Sequence, residues 1–224
     1  AEPLPPWAKL KFQFGHIIEE LAITLFKASG HEVRGEQDEI YLDGVKGHRD
    51  CVVDGCILDV KSCSTPAFKK FDEGTIAQEG MDLFGYLDQL DAYLCGSLED
   101  PLVRVKDKAY LFAIDKTLGH CTLYEHKVTA ERLQAIRERV ARYKQIVAMD
   151  MPPACECGTI EEDNGNVKLD VRASYNQFKN SCFPTLRTFI YSKGPVYFSR
   201  VVKKPLYRGE PLLEIDKSGQ PVYN

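Results

Sequence analysis

Two Asp-Gly pairs, Asp43-Gly44 and Asp54-Gly55, interrupt a run of short β-prone segments: "EIYLDG" (39–44), "RDCVVDG" (49–55) and "CILDVKS" (56–62). Asp-Gly suits a two-residue turn in which both central residues need positive φ, so the pairs predict antiparallel strands joined by tight turns. The second turn has a chemical consequence. It sets Asp50, at the start of one strand, near Asp59-Val60-Lys61, at the end of the next.

The flanking segments predict helices and further strands. Over 7–29, Leu10, Phe14, Ile17, Leu21 and Leu25 recur at helical spacing and Gly30 stops the run, so this stripe is expected to face the core. Gln13, Glu20, Thr24 and Lys27 form the polar stripe. Glu19 instead projects with Phe12, Gly15, Ala22 and Phe26, on a second and nearly apolar face where an unpaired carboxylate is costly. A simple ion pair would satisfy it; so would a metal. Residues 75–95 return to helical spacing, with Leu83, Leu87, Leu90 and Leu94 inward and Tyr86, Gln89 and Tyr93 together on another face. Strands follow at 109–115 and 121–127 around a turn at 116–119, then a charged amphipathic helix over 129–149. The order α-β-β-β-α-β-β-α predicts an α/β fold, a central mixed sheet flanked by helices. Residues 1–150 are read as this core and 151–224 as a C-terminal extension packed on it.

With 224 residues, 44% of them hydrophobic and 28% charged, the chain can bury one good core. The apolar runs are too short for a membrane span, and "AEPLPPWAKLK" lacks the order of a signal peptide, so a cytoplasmic protein without a membrane partner is expected. The chain opens on Ala rather than Met, which leaves room for a longer natural protein. Trp7 is read as an anchor at the helix start. Eight scattered cysteines do not form a secreted disulfide framework, and most are expected to be reduced thiols.

Asp50 and Asp59, near the ends of paired strands, can converge on a divalent cation, with the main-chain carbonyl of Val60 as a further hard oxygen ligand and Glu19 completing the shell. Lys61 shares a strand face with Asp59. A cation held by carboxylates beside an ammonium suits phosphodiester hydrolysis. An Asp-x-Lys triplet is a weak signal by itself, and Asp115, Glu125, His126 and Lys127 form a decoy. The decoy abuts a turn and lacks paired polar residues on a following helix. His48 is read as packing in preference to facing the metal, and His16, His31, His120 and His126 have no evident partners in the sequence.

The succession Gly15-x-x-x-Glu19, Gly47-x-x-Asp50, Asp59-Val60-Lys61 and Gln89-Leu90-Asp91-Ala92-Tyr93 resembles the motifs of the PD-(D/E)XK nucleases, in the RecB-like branch that includes the CRISPR-adaptation exonucleases, and is most similar to phage-encoded members. The resemblance spans about residues 10–200. It implies a restriction-endonuclease-like core in which Glu19, Asp50 and Asp59 bind Mg²⁺ or Mn²⁺. It also implies that Lys61 is catalytic and that Gln89 and Tyr93 orient the substrate strand or the lysine. Glu19 stands where many members carry His. Many members also hold an iron-sulfur cluster, but the cysteine run near the domain's end here reads Ala173-x-x-Asn176-x-x-x-x-x-Cys182. Cys155 and Cys157 with Cys182 offer thiolates for zinc or a rearranged cluster, but C-x-C is weak metal spacing and neither is the expectation. The extension is thus read as a remnant of a cysteine-cluster region.

Net charge is −4, yet no acidic residue falls between Phe183 and Arg208. Arg187, Lys193, Arg200, Lys203 and Lys204 alternate there with aromatic residues, a pattern that suits single-stranded nucleic acid as well as a solvated β face. The expected function is a metal-dependent exonuclease on single-stranded DNA or free ends, with phage recombination or replication proteins as partners. A non-catalytic nucleic-acid-binding or assembly factor, or a structure-specific endonuclease, is the alternative.

Overall fold

The computed structural model describes residues 6–151, 153–154, 157–192 and 194–223, with the side chains of residues 6–8 outside that description. The chain divides into two units, one ending at Pro152 and one beginning at Pro153.

In the first unit, α1 (Pro6–Ala28) is followed by β1 (Val33–Arg34), β2 (Glu39–Leu42), β3 (Val45–His48), β4 (Cys51–Val53) and β5 (Cys56–Cys63). Then come α2 (Thr65–Asp72), a 3₁₀ turn at Thr75–Ala77, α3 (Tyr86–Gly96), β6 (Lys108–Asp115), β7 (Cys121–Lys127) and α4 (Ala130–Val147). The sheet has the order β1-β4-β5-β6-β7 and is antiparallel except at β5/β6, which run parallel across the α2–α3 connection. The fold is therefore mixed α/β with a central mixed sheet flanked by helices. Both Asp-Gly pairs make the expected hairpin turns, with φ of 49° and 83° at Asp43 and Gly44 and 52° and 85° at Asp54 and Gly55. The first joins β2 to β3 as a separate ribbon, and the second joins β4 to β5.

Strand β5 is buried without interruption from Cys56 to Val60, because both of its faces are covered. Leu58, Val60 and Ile114 pack with Ala22 and Ile23 of α1, while Ile57, Leu111 and Ala113 pack with Phe68 of α2 and with Leu87, Leu90 and Leu94 of α3. Helix α4 lies against α3 through Ile136 and Val140 beside Cys95. Among the described residues no helix is long and apolar enough to cross a membrane.

Three expectations about elements are corrected. The apolar stripe of α1 is turned outward: Leu10, Phe14, Ile17, Leu21 and Leu25 are 45–58% exposed, whereas Ala22 and Ile23 are buried. The helix meets the sheet through the face that carries Glu19, where small and branched residues allow close approach. The helix expected over 75–95 begins only at Tyr86. Gly80 and Gly85 take left-handed φ before it, and the carboxylate of Asp82 accepts from the Tyr86 and Leu87 amides at 2.9 Å. Strands β1 and β3 and helix α2 are additional.

The second unit contains β8 (Thr159–Glu161), β9 (Val167–Leu169), α5 (Val171–Tyr175), α6 (Lys179–Cys182), β10 (Arg187–Tyr191), β11 (Gly194–Arg200), β12 (Leu206–Tyr207), β13 (Glu210–Pro211) and β14 (Leu213–Ile215). Its sheet has the order β14-β10-β11-β9-β8. Phe189 and Phe198 are fully buried in it, edge to face at 5.5 Å. Asn166, also buried, ties the turn before β9 to the segment after β11 by accepting from the Val202 and Lys203 amides at 2.8 and 3.0 Å.

The reversed face of α1 yields a direct test. Ile23→Ala should cost about 2–4 kcal/mol in urea unfolding, as truncation of a buried branched residue does. Ile17→Ala should stay within about 0.5 kcal/mol, as for an exposed site. Comparable losses at both positions would contradict this packing.

Candidate metal-dependent active site

The β4–β5 register pairs Cys51 with Leu58. One step further, Asp50 lies across from Asp59, so both carboxylates project to the same side of the sheet. Strand alternation fixes which side: odd positions of β5 face α3, as Ile57 does. The amide of Val60 donates to Asp50 Oδ2 at 2.7 Å and holds that carboxylate against the hairpin.

Lys61 is held from three directions. Its Nζ donates to Gln89 Oε1 at 3.1 Å, lies 2.6 Å from Asp59 Oδ2 as an ion pair, and sits 5.0 Å from the centre of the Tyr86 ring. Gln89 in turn donates through Nε2 to the Tyr93 hydroxyl at 2.6 Å. Gln89 and Tyr93 stand one helical turn apart on α3, which is why the spacing brings them together. Burial, reinforced by the Asp59 charge, pushes Tyr93 up to about 12, so its hydroxyl keeps its proton.

Glu19 reaches the same place from α1. A cleft of about 660 Å³ takes Phe12, His16 and Glu19 from α1, Asp50 and Asp59 from the hairpin, and Gln89 from α3. Gln37 donates through Nε2 to Glu19 Oε1, while its own amide N–H donates to the Asp50 carbonyl at 3.0 Å. All three carboxylates are harder to ionise than usual. Burial and the Asp50 charge raise Glu19, burial raises Asp50, and burial, opposed by Lys61 and augmented by Asp50, pushes Asp59 up to about 7.

These residues fit a divalent cation in kind. The donor set is hard oxygen, the three charges oppose one another, and buried Asp59 Oδ2 has no hydrogen-bond partner because the Lys61 contact is not aligned as one. Among the described residues, no three His, Cys, Asp or Glu side chains are gathered closely enough to hold a metal as they stand.

The remaining expectations fall in different places. His16 Nδ1 lies 3.9 Å from Glu19 Oε2, His31 pairs with Asp54 at 2.6 Å, and His126 pairs with Asp91 at 2.8 Å, so three histidines have partners not evident in the sequence. His48 is exposed and 3.6 Å from Glu39, neither packed nor in the cleft. In the decoy, Asp115 caps a turn by accepting from Thr117, and Glu125 pairs with Lys108. The two ends are structural. Cys51 and Cys63 are buried free thiols pushed up to about 12 and 11 by burial. Cys157 Sγ accepts from Asn176 at 3.1 Å and lies 3.6 Å from Cys182 Sγ. Cys182 is itself disulfide-bonded, so it does not present the free thiolate expected of a metal site. Cys155, Lys193 and the side chain of Trp7 lie outside the described residues.

The basic stretch is less free than its sequence suggests. Arg187 pairs with Glu214 at 2.6 Å and Arg200 with Glu161 at 2.5 Å, both acids lying outside the stretch. Phe189 and Phe198 belong to the core of the second unit, whereas Lys203 and Lys204 are exposed. Sequence reasoning placed Tyr86 beside Gln89 and Tyr93 but gave it no role, and it missed Gln37 and Arg49. Arg49 is only 1% exposed, and its guanidinium lies 2.8 Å from Asp38 and 2.6 Å from Asp100. Gly35 was the available signal, since a Cβ there would come within 2.7 Å of that guanidinium.

No family model matches the chain, and no curated protein matches it. Among solved structures it is similar to one described as "Crystal structure of SSO0001", at 18% identity and a TM-score of 0.40. The match covers 68% of this chain and spans 66% of the length of that protein.

The raised carboxylates set a pH dependence. Each binds its proton more tightly folded than unfolded, so its stabilising contribution is complete below about pH 4 and is lost as pH climbs through the folded value, about 7 for Asp59. Carboxylates held low, such as Glu39 at about 2, are ionised in both states above pH 5, so their contribution is constant there and adds no slope. The metal-free protein should therefore melt at a lower temperature at pH 8 than at pH 5, and Asp59→Asn should lessen that drop. A melting temperature that rises over this range would refute the shift.

Proposed function

We propose that the unit ending at Pro152 is a divalent-metal-dependent DNA nuclease with a restriction-endonuclease-like core, acting as an exonuclease on single-stranded DNA. The observation that carries this reading is Lys61, held by Gln89 and Asp59 in a cleft that also takes Glu19 and Asp50. A lone buried ion pair would not need a hydrogen-bonded relay from α3 to aim its ammonium.

Hydrolysis adds water to phosphorus and breaks one P–O ester bond, and the departing oxygen takes a proton. Mg²⁺ or Mn²⁺ bound by Glu19, Asp50, Asp59 and the Val60 carbonyl would supply an activated water and offset charge on the phosphoryl oxygens. Lys61 carries three N–H donors, of which Gln89 takes one while Asp59 pairs with the ammonium by charge; a remaining donor orients the attacking water or meets a phosphoryl oxygen. Gln89 fixes that aim, and Tyr93 fixes the amide of Gln89. Phe12 and Phe14, both exposed at the cleft with Lys11 and Lys116 nearby, favour a single strand, whose bases are free to stack. In the second unit, taken by itself, the exposed Lys203 and Lys204 are cations suited to meeting phosphates. The resemblance to phage-encoded members points to phage recombination or replication proteins as partners and to the cytoplasm as the compartment.

The test is digestion of end-labelled single- and double-stranded DNA with Mg²⁺, Mn²⁺ or EDTA. Single strands should be degraded from an end with either metal and left intact with EDTA, and binding without cleavage would favour a nucleic-acid-binding factor instead. Lys61→Ala should lower the cleavage rate about a hundredfold or more while leaving DNA affinity unchanged. Full activity in that variant would remove Lys61 from the mechanism. Replacing Lys203 and Lys204 by Gln should reduce the slope of log affinity against log salt by about 0.7 per phosphate contact. An unaltered slope would leave these lysines as a solvated face.

A further inference from the structure

We infer that Gln37 is a positioning residue for the metal centre: it orients the carboxylate of Glu19 and ties it to the backbone of Asp50. This rests on the metal-dependent reading above. Glu19 and Asp50 come from different layers, one from a helix packed on the sheet and one from the sheet itself. Gln37 touches both. Its side-chain amide donates to Glu19 Oε1 and its main-chain N–H donates to the Asp50 carbonyl at 3.0 Å.

The loop that carries Gln37 is built to hold it still. Gln37 has a left-handed φ of 56°, a conformation that is rare for a residue other than Gly, Asn or Asp. Asp38, the next residue, binds the buried guanidinium of Arg49 at 2.8 Å, and its carbonyl accepts from the Arg49 amide at 3.2 Å. Arg49 immediately precedes Asp50, so one anchored loop spans the base of one carboxylate and the tip of another. Gly35 completes the device, since a side chain there would collide with Arg49 and Asp38 at 2.7 Å.

The other oxygen of Glu19 has only the long ion pair with His16 and faces the cleft. Oε2 has His16 Nδ1 at 3.9 Å, outside hydrogen-bond range, and the Glu19 side chain is 14% exposed toward the cleft. Hydrogen bonds to ligating carboxylates restrict their orientation, and removing such a partner weakens metal binding by about 10- to 100-fold. A left-handed backbone also supplies a clean variant. Gln37→Gly removes the amide while keeping the main-chain donor, and glycine is at ease with this φ.

The experiment is calorimetric titration of Mn²⁺ into the full chain as wild type, Gln37→Gly and Gln37→Asn, with the metal-free melting temperature of each. Positioning predicts about 10- to 100-fold weaker Mn²⁺ binding by Gln37→Gly, with a melting temperature equal to or above wild type. Asn tolerates the backbone but is one methylene short, so it should not restore affinity. Unchanged Mn²⁺ affinity in Gln37→Gly, with wild type binding normally, overturns the role of Gln37 and leaves the metal centre standing. A lower melting temperature in Gln37→Gly with unchanged affinity does the same, by making the contact merely structural. Absence of Mn²⁺ binding by the wild type overturns the metal centre and this inference with it.

Discussion

Asp54 and Gly55 both adopt positive φ, which lets the chain reverse in two residues and locks Cys51 opposite Leu58. A slip of one residue would send Asp59 and Lys61 to the α1 side of the sheet and exchange them with Leu58 and Val60. The surrounding core does not allow this, because Leu58 and Val60 fill the space beneath Ala22 and Ile23 while Ile57 fills that beneath α3. Hydrophobic packing therefore sets the chemistry. The carboxylates repel one another, and their contacts with Lys61 and the Val60 amide form only once this register is in place.

Two buried ion networks hold the layers in the orientation the cleft needs. Asp91, in the same turn of α3 as Gln89, binds His126 of β7 at 2.8 Å and Arg132 of α4 at 2.7 Å. That clamp fixes the rotation of α3 and so directs Gln89 and Tyr93 at Lys61. Arg49 does the corresponding work on the other side, tying the loop at Asp38 to Asp100. Arg49 and Asp91 are each buried and each has two partners, so either charge would stand uncompensated only if both of its partners were lost. The site is thus framed by polar contacts that lie outside it.

Much of this architecture was legible because it depends on local rules. Asp-Gly turns, strand alternation and the four-residue spacing of Gln89 and Tyr93 require no knowledge of distant partners. The inverted face of α1 was hidden because that helix carries apolar residues on two faces, and periodicity alone favoured the larger ones. The helix start at Tyr86 was hidden by Leu83, which kept the period without being helical. The basic stretch misled for a different reason: Glu161 and Glu214, which neutralise Arg200 and Arg187, are distant in sequence and adjacent only in the sheet. Gln37 gave no sign, since a left-handed glutamine looks like any other in a string of letters.

The parallel pairing of β5 with β6 has a consequence for how the protein comes into being. Those strands are separated by α2 and α3, so they can join only after a long loop has closed, and such non-local pairings are among the slow steps of folding. Lys61 lies within that pairing, beside Ala113, and its partner Gln89 lies in the closing segment. A chain emerging from the ribosome therefore carries every carboxylate of the site well before it can aim the lysine. The Lys61–Gln89 contact thus belongs to the late, non-local part of the fold, whereas the carboxylates are in place from the local hairpin and its neighbouring helix.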